Sequence, residues 1–152
     1  MKTLLALLTA TLVFSASFAA TAARPNIVLI FADDLGWKDV GYQGTDFMET
    51  PNIDRLARQG MVFTGGYASA GNCAPSRACL ISGTYTPRHG VYAVVSTDRG
   101  PKESMRLVPI PNTDGLAKEN ITVADALKAA GYVTGIFGKW HLSGKDGAEP
   151  GK

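Results

Sequence analysis

A continuous apolar run near the start of the chain constrains the fold more than any other feature. Residues 26–32 read Asn-Ile-Val-Leu-Ile-Phe-Ala, and the run ends abruptly in Asp33 and Asp34. A short β-branched run without polar alternation is typical of a strand that is buried on both faces, as in parallel sheets covered by helices. The sequence therefore predicts an α/β domain with a mostly parallel sheet flanked by helices.

Helix signals recur along the rest of the chain. Thr50 as the cap, followed by proline, predicts a helix that ends at Gly60. Residues 75–81 predict a second helix, which the glycine two residues later stops. Thr122 and Asp125 form a variant capping box, so a third helix is predicted to follow them. Its apolar side chains are expected to face inward.

The segments between these helices predict strands or loops. Residues 61–64 and 132–137 predict two further short strands, whereas 86–119, rich in proline, glycine and charge, predict an irregular surface excursion with a short hairpin. Ligands of open α/β sheets bind beyond the carboxyl ends of the strands. The polar residues that follow 26–32 and 132–137 are therefore expected at the same edge of the sheet.

The first 23 residues are a different kind of sequence. Lys2 precedes an apolar run over residues 4–14, and small residues lead up to Ala23. This pattern is typical of a secretory signal peptide that is cleaved. A membrane anchor is the alternative, but the run is shorter than the roughly 20 apolar residues that a span needs. We expect a signal peptide over 1–23, one domain over 24–152, a secreted or periplasmic location, and no membrane span after cleavage.

Charge and cysteine content narrow the function further. The formal net charge is +2 and the basic residues are not clustered, so no nucleic-acid partner is expected. In an oxidising compartment the two cysteines invite a disulfide. Cys73 and Cys79 would lie about 9 Å apart along a helix, which is too far for a disulfide bond. Cys79 is interpreted as a buried apolar helix residue, and Cys73 needs a separate explanation.

Asp33 and Asp34 are the first cluster that can carry chemistry. Adjacent carboxylates at a strand end repel each other unless a positive charge lies between them. A hard cation such as Ca²⁺, which prefers oxygen ligands, would relieve this repulsion. Alternatively, one aspartate caps a turn and the other faces solvent. Spacing alone leaves the two interpretations open.

Cys73 and Arg77 form the second cluster. The proline at position 75 fits the first turn of a helix and places Cys73 just before the helix N-terminus. Unpaired N–H groups and the helix dipole favour anions there. Arg77 lies one turn further on and can bind an oxyanion with two N–H groups. The alternative is a structural cysteine beside a surface arginine.

Lys139 and His141 form the third cluster. In an extended segment, residues two apart point to the same side. A cation and an imidazole directed into the same space suit an anionic ester. Alternatively, Lys139 covers apolar surface with its stem, and His141 is satisfied by ordinary hydrogen bonds.

Together these clusters resemble one known family. Residues 26–36 resemble the opening strand and metal motif of type I sulfatases, in the alkaline phosphatase-like superfamily, and 50–57 resemble the helix that follows. Residues 73–83, Cys-Ala-Pro-Ser-Arg-Ala-Cys-Leu-Ile-Ser-Gly, match the sulfatase signature. Residues 138–142, Gly-Lys-Trp-His-Leu, are similar to the second signature. The resemblance covers nearly all of 25–142, with four motifs in order.

The resemblance implies a modified nucleophile and a metal. A formylglycine-generating enzyme would convert Cys73 to formylglycine, whose hydrate attacks the sulfur of a sulfate ester. Asp33, Asp34 and the modified Cys73 would hold Ca²⁺, with Mg²⁺ as the alternative metal.

The resemblance also implies roles for the basic side chains. Arg77 would steady the diol and the carboxylates on the metal side. Lys139 would bind sulfate oxygens, and His141 would hydrogen-bond the diol and assist the elimination step. For an exported enzyme of this type, a sulfated carbohydrate is the expected substrate class.

One departure from the family pattern limits these expectations. Sulfatases are longer than 152 residues, and their second half supplies further metal ligands and the group that protonates the leaving alcohol. We therefore expect this chain to be the N-terminal, truncated part of a sulfatase core, with little activity alone. A phosphate or phosphonate monoester hydrolase of the same superfamily and an inactive secreted remnant are the alternatives.

Overall fold

The structure, a computed structural model, describes residues 24–144. The predicted signal peptide over 1–23 lies outside the described residues. The chain divides into two compact units, Met1–Ala32 and Asp33–Lys152. Within 24–144, no helix is long and apolar enough to cross a membrane.

The described part of the first unit is the apolar run itself. Residues 26–32 have neither helix nor strand assigned, and Val28 and Ile30 are more than 80% exposed. Two-sided burial of this run, which its composition predicts, is therefore not found among the described residues. Its place in a sheet stays a prediction.

The described part of the second unit is built from helices and irregular segments. Its helices are a 3₁₀ turn Gly41–Gln43, α1 Pro51–Gln59, α2 Cys73–Ser82, the single turn α3 Thr86–His89, a 3₁₀ turn Lys102–Ser104, and α4 Val123–Ala129. Each predicted helix is present, and α2 starts two residues earlier than predicted.

Helix α1 begins after Thr50 and ends at Gly60, as predicted, but Thr50 does not cap it through its side chain. The Thr50 hydroxyl instead accepts a hydrogen bond from the Gly41 N–H (2.7 Å) and donates one to Asp54 (2.9 Å). Asp54 in turn accepts from the Tyr42 N–H at 2.9 Å. The Thr50 hydroxyl, which the local sequence predicts to cap α1, therefore contacts the 3₁₀ turn instead. The apolar face of α1 lines an open cleft with residues 60–63.

Helix α2 is the centre of the core. Gly83, in the left-handed conformation (φ 64°), ends the helix, and its N–H donates to the Cys79 carbonyl. The buried core consists of Ala74, Ala78, Val91, Leu116 and Leu142, with Ile81, Val94 and Trp140 packed against it. The two leucines are fully buried, and burial of a side chain of this size stabilises a fold by about 1.5–3 kcal/mol. The core therefore fixes α2 against the segment that follows Trp140.

Helix α4 confirms the capping box but not the direction of its side chains. Thr122 accepts from the Asp125 N–H (3.2 Å), and Asp125 accepts from the Thr122 N–H (2.9 Å). The prediction that its apolar residues face inward is wrong for Val123, which is 45% exposed, and for Ala130, which is exposed. Capping is a local interaction. Inward packing instead needs other parts of the chain to cover these side chains, and the described residues leave them exposed.

The predicted strands over 61–64 and 132–137 are not assigned as strands in the described residues. No β-strand is assigned in 24–144, and Ala117 forms an isolated bridge there. Among these residues, 61–64 takes part in no backbone hydrogen bond to another segment, and 132–137 does so only through the Tyr132 N–H, which donates to the Leu127 carbonyl of α4. Phe63, Val133 and Phe137 are each more than 75% exposed. Composition favours an extended backbone locally, but a ladder needs a neighbouring strand, so the parallel sheet stays a prediction.

The short hairpin predicted within 86–119 is not found in the described residues. Asn112 holds the part of this segment that follows α3. The Asn112 carbonyl oxygen accepts from the Tyr92 N–H (2.7 Å) and the Ala93 N–H (2.9 Å). Its amide donates to the carbonyls of Ala93 and Val95, both at 3.2 Å. Asn112 therefore closes the loop that begins at residue 92, together with the Thr97 hydroxyl, which donates to the Ile110 carbonyl.

Candidate active site

Cys73 is the first residue of helix α2. Asn72 precedes it in an extended conformation, and Gly83 ends the helix ten residues later. The thiol is free and partly buried. Helix N-termini carry unpaired N–H groups and the positive end of the dipole. Cys73 therefore lies where negative charge is favoured.

Arg77 lies one helical turn after Cys73 and joins two distant parts of the chain. Its Nη2 forms an ion pair with Asp33 Oδ1 at 3.2 Å, and its Nη1 donates to the Lys139 carbonyl at 2.7 Å. Only 11% of the Arg77 side chain is exposed. A planar guanidinium can make both contacts at once, which an ammonium cannot. The contacts fix Asp33 and the Lys139 backbone relative to helix α2.

Lys139 and Asp33 form a second ion pair at the same place. The hydrogen bond to Asp33 raises the pKa of Lys139, and the charge and hydrogen-bonding capacity of Cys73 add to this effect. The hydrogen bond from Lys139, with a smaller contribution from Arg77, holds the pKa of Asp33 below its usual value. Both groups are therefore charged at neutral pH. The structure brings Asp33, Cys73, Arg77 and Lys139 together.

Asp34 and His141 flank this cluster in sequence but do not join its hydrogen bonds. Both have left-handed backbones, with φ values of 55° and 62°. This conformation costs a residue other than glycine about 1–2 kcal/mol. Both are exposed, and within residues 24–144 neither side chain forms a hydrogen bond or an ion pair. Their side chains are available to a ligand.

The carboxylates suit a hard cation in kind but not in number. Ca²⁺ takes 6–8 oxygen ligands, and Asp33 and Asp34 supply the type of oxygen that it prefers. Asp34 makes no competing contact among the described residues, whereas Asp33 already contacts Arg77 and Lys139. In the described part of the chain, no group of three or more His, Cys, Asp or Glu side chains is placed to hold a metal.

Sequence reasoning did not predict a second buried polar cluster, behind helix α2. Cys79 is buried, as predicted, but its Sγ lies 3.3 Å from His89 Nε2 and 3.6 Å from Thr86 Oγ1. His89 Nδ1 accepts a hydrogen bond from the Val91 N–H at 3.1 Å. Burial lowers the pKa of His89. The partners are ten residues apart across a turn, so no helical or strand spacing indicates the contact.

Comparison with known proteins assigns the family. The sulfatase family model matches residues 25–150. The chain belongs to the sulfatase family. It is 47% identical to human arylsulfatase A over 130 residues, which is 85% of this chain and 23% of that protein. It is 44% identical to bovine arylsulfatase A over 146 residues, covering 94% of this chain and 26% of that protein.

A relative with a different named substrate matches as well. This sulfatase chain is 42% identical to mouse N-acetylgalactosamine-6-sulfatase over 127 residues, covering 82% of the chain and 23% of that protein. The chain spans about a quarter of the length of the curated relatives that it matches. The resemblance noted from the four motifs is thereby confirmed at the level of the family.

Proposed function

We propose that this chain forms the nucleophile side of a sulfate ester hydrolase active site. Cys73, matured to formylglycine, is the nucleophile. Asp33 and Asp34 hold the metal, and Lys139 and His141 contact the sulfate group. Membership of the sulfatase family supports the reaction class.

The observation that carries the proposal is the meeting of four side chains from three distant parts of the chain. Arg77 contacts both Asp33 and the Lys139 backbone, Lys139 also contacts Asp33, and Cys73 lies one helical turn before Arg77. A cysteine at a helix N-terminus beside two cations and a carboxylate combines a nucleophile position with an anion-binding position. An ordinary structural ion pair does not require a cysteine there.

The chemistry assigned to residue 73 is a two-step displacement. One hydroxyl of the hydrated aldehyde attacks sulfur, and the S–O bond to the alcohol breaks, which leaves a sulfate ester on the residue. The second hydroxyl then loses its proton, a C=O bond forms, and sulfate departs as the C–O bond to it breaks. The aldehyde is restored, so the nucleophile regenerates itself.

Three side chains of the chain support these steps. The hydrogen bond to Asp33 raises the pKa of Lys139, so Lys139 is a cation that binds the sulfate oxygens. Arg77 is buried and holds Asp33 and Lys139 in place. His141 is exposed beside Lys139 and accepts the diol proton in the elimination step.

Asp33, Asp34 and the modified Cys73 would hold Ca²⁺, or Mg²⁺ in its place, and the bound cation would supply Lewis-acid polarisation of the sulfate oxygens. The further oxygen ligands that Ca²⁺ takes are not found among residues 24–144. Efficient turnover therefore requires groups beyond the described residues.

Substrate, maturation and location follow from the same proposal. One relative is named for a sulfated amino sugar, so a sulfated carbohydrate is the proposed substrate class. A formylglycine-generating enzyme is the proposed maturation partner. The sequence of residues 1–23 supports a signal peptide ahead of a domain over 24–152, and with it a secreted or periplasmic location.

The test begins with the protein isolated from its native host. The mass of the peptide that contains Cys73 is expected to show an aldehyde in place of the thiol. The same preparation is then assayed on matched aryl sulfate and aryl phosphate esters, with Ca²⁺ and after chelation. Faster cleavage of the sulfate ester and loss of activity on chelation are expected.

The two cysteines of helix α2 provide a matched control. Cys73→Ala should abolish both the aldehyde and hydrolysis, whereas Cys79→Ala should retain both, because Cys79 lies in the core. An unmodified thiol at position 73 in protein from the host would contradict the proposal and favour an inactive remnant. Preference for the phosphate ester would instead favour the phosphatase alternative.

A further inference from the structure

The segment that carries Lys139 and His141 has a conformation that its own sequence does not favour. Gly138 and His141 both have positive φ, at 103° and 62°, and residues 139–144 belong to no helix or strand. A positive φ is uncommon for residues other than glycine, although histidine adopts it more readily than most, so contacts from elsewhere help to hold the segment. Arg77 supplies one of them through the Lys139 carbonyl.

A turn at Gly115 and Leu116 supplies the other. The Leu116 N–H donates a hydrogen bond to the Leu142 carbonyl at 3.0 Å, and both leucine side chains are fully buried in the same core. The bonded carbonyl belongs to the residue directly after His141. Bond and packing together fix the chain on the far side of the strained residue.

Position 115 requires glycine because another stretch of backbone lies very close to it, and not because of its own backbone dihedral angle. Its φ lies outside the left-handed region. A Cβ on Gly115 would nevertheless overlap the Leu142 carbonyl oxygen and the Gly144 N–H group. Both of those atoms are backbone, so neither can rotate away as a flexible side chain would. The two chains can approach this closely only because residue 115 has no side chain.

We propose that Gly115 and Leu116 are positioning residues, which hold the Leu142 carbonyl and thereby present Lys139 and His141 to the bound sulfate group. Arg77 fixes the start of the segment and the Gly115–Leu116 turn fixes its end. The inference rests on the proposed function for its ligand, but its structural content is independent of catalysis. Neither residue belongs to the sulfatase-like motifs of the sequence.

The test compares three glycine substitutions in the full ¹⁵N-labelled chain. Gly115→Ala introduces a severe backbone overlap, and Gly144→Ala a mild one, since its Cβ would lie 3.0 Å from the Gly115 N–H nitrogen. Gly71→Ala is the matched control, because a Cβ there meets nothing within 4 Å and its φ is not left-handed. Graded effects in this order are expected.

Three readouts are followed in each variant. Hydrogen exchange of the Leu116 amide should accelerate by about tenfold or more in Gly115→Ala, as its bond to Leu142 is lost. The amide shifts of Lys139 and His141 should move, while those of helix α1 stay in place. The affinity for inorganic sulfate, measured by calorimetry, should fall in the same order as these shifts move.

A further control distinguishes a positioning role from a general effect on stability. Ala126→Gly lowers helix propensity at an exposed position of α4, so it should lower stability and leave sulfate affinity unchanged. If Gly115→Ala does not fold, Gly144→Ala carries the test. Amide exchange and shifts in these variants that match Gly71→Ala would overturn the inference. Failure of the wild-type chain to bind sulfate would count against the proposed function alone, because exchange and shifts still decide the role of the turn.

Discussion

Protonation of His89 should weaken the contact between helices α2 and α3. The ring has a neutral hydrogen-bond pattern, since Nδ1 accepts from the Val91 N–H at 3.1 Å and Nε2 faces Cys79 Sγ at 3.3 Å. A proton on Nδ1 would bring two donors face to face. His89 is only 6% exposed, so water cannot replace the lost bond. The folded state therefore favours the neutral ring.

The sign and upper limit of the effect follow from linkage. Burial lowers the pKa of His89 from its ordinary value of 6.5, so between the two values the unfolded chain binds more protons than the folded one. The stabilisation is fully present above pH 6.5 and is lost as the pH falls towards the folded pKa. One such group changes the free energy of unfolding by at most about 1.4 kcal/mol per pH unit.

The assay is urea unfolding of the wild-type chain and two histidine variants between about pH 8 and about pH 5. His89→Asn keeps an acceptor for the Val91 N–H but cannot take up a proton. His141→Asn makes the same change at the other histidine of the sequence, which is exposed. The wild type and His141→Asn should lose stability with acid more steeply than His89→Asn.

The difference in slope is the decisive quantity, because carboxylates common to all three proteins cancel. Parallel curves for the wild type and His89→Asn would refute the assignment of a neutral, buried His89. A shallower slope in His141→Asn alone would show that His141, and not His89, causes the loss of stability in acid. A lower stability of His89→Asn at about pH 8 is expected from the lost Cys79 contact and does not affect the comparison.

Two further predictions concern contacts that a single side chain makes. Arg77→Lys should lower the free energy of unfolding by about 1.5–3 kcal/mol, because an ammonium cannot span Asp33 and the Lys139 carbonyl, and urea unfolding measures the loss. Asn112→Ala removes the hydrogen bonds that close the loop over residues 92–111, so trypsin should cleave that loop about tenfold faster or more. Unchanged unfolding or unchanged cleavage, respectively, would contradict these two assignments.

The helices were predictable because their signals are local. Proline in the first turn and a glycine after the last turn set the bounds of α1, Gly83 set the end of α2, and the Thr122–Asp125 capping box set the start of α4. Each of these signals acts within one turn of the residue that carries it. Failure came where a distant group competed, as at Thr50, whose hydroxyl binds the Gly41 N–H instead of capping α1.

The extended segments show the opposite limit. Apolar, β-branched composition predicts strands over 61–64 and 132–137, but it says nothing about which segment would pair with them. Among the described residues neither segment pairs with another strand, and both remain largely exposed. Strand pairing depends on residues far away in sequence. Human arylsulfatase A, which this chain matches, is about four times as long as the chain.

By itself, the sequence determined the family and most of the bounds of the predicted helices, because motif residues and caps are read over a few neighbouring positions. Only the tertiary structure decided that Arg77 contacts both Asp33 and the Lys139 backbone, that His89 is buried against Cys79, and that Gly115 lies against Leu142. Each of these contacts joins residues between 10 and 62 positions apart, or joins two backbones too closely for a side chain. Such distances depend on the path of the whole chain, which no local pattern encodes.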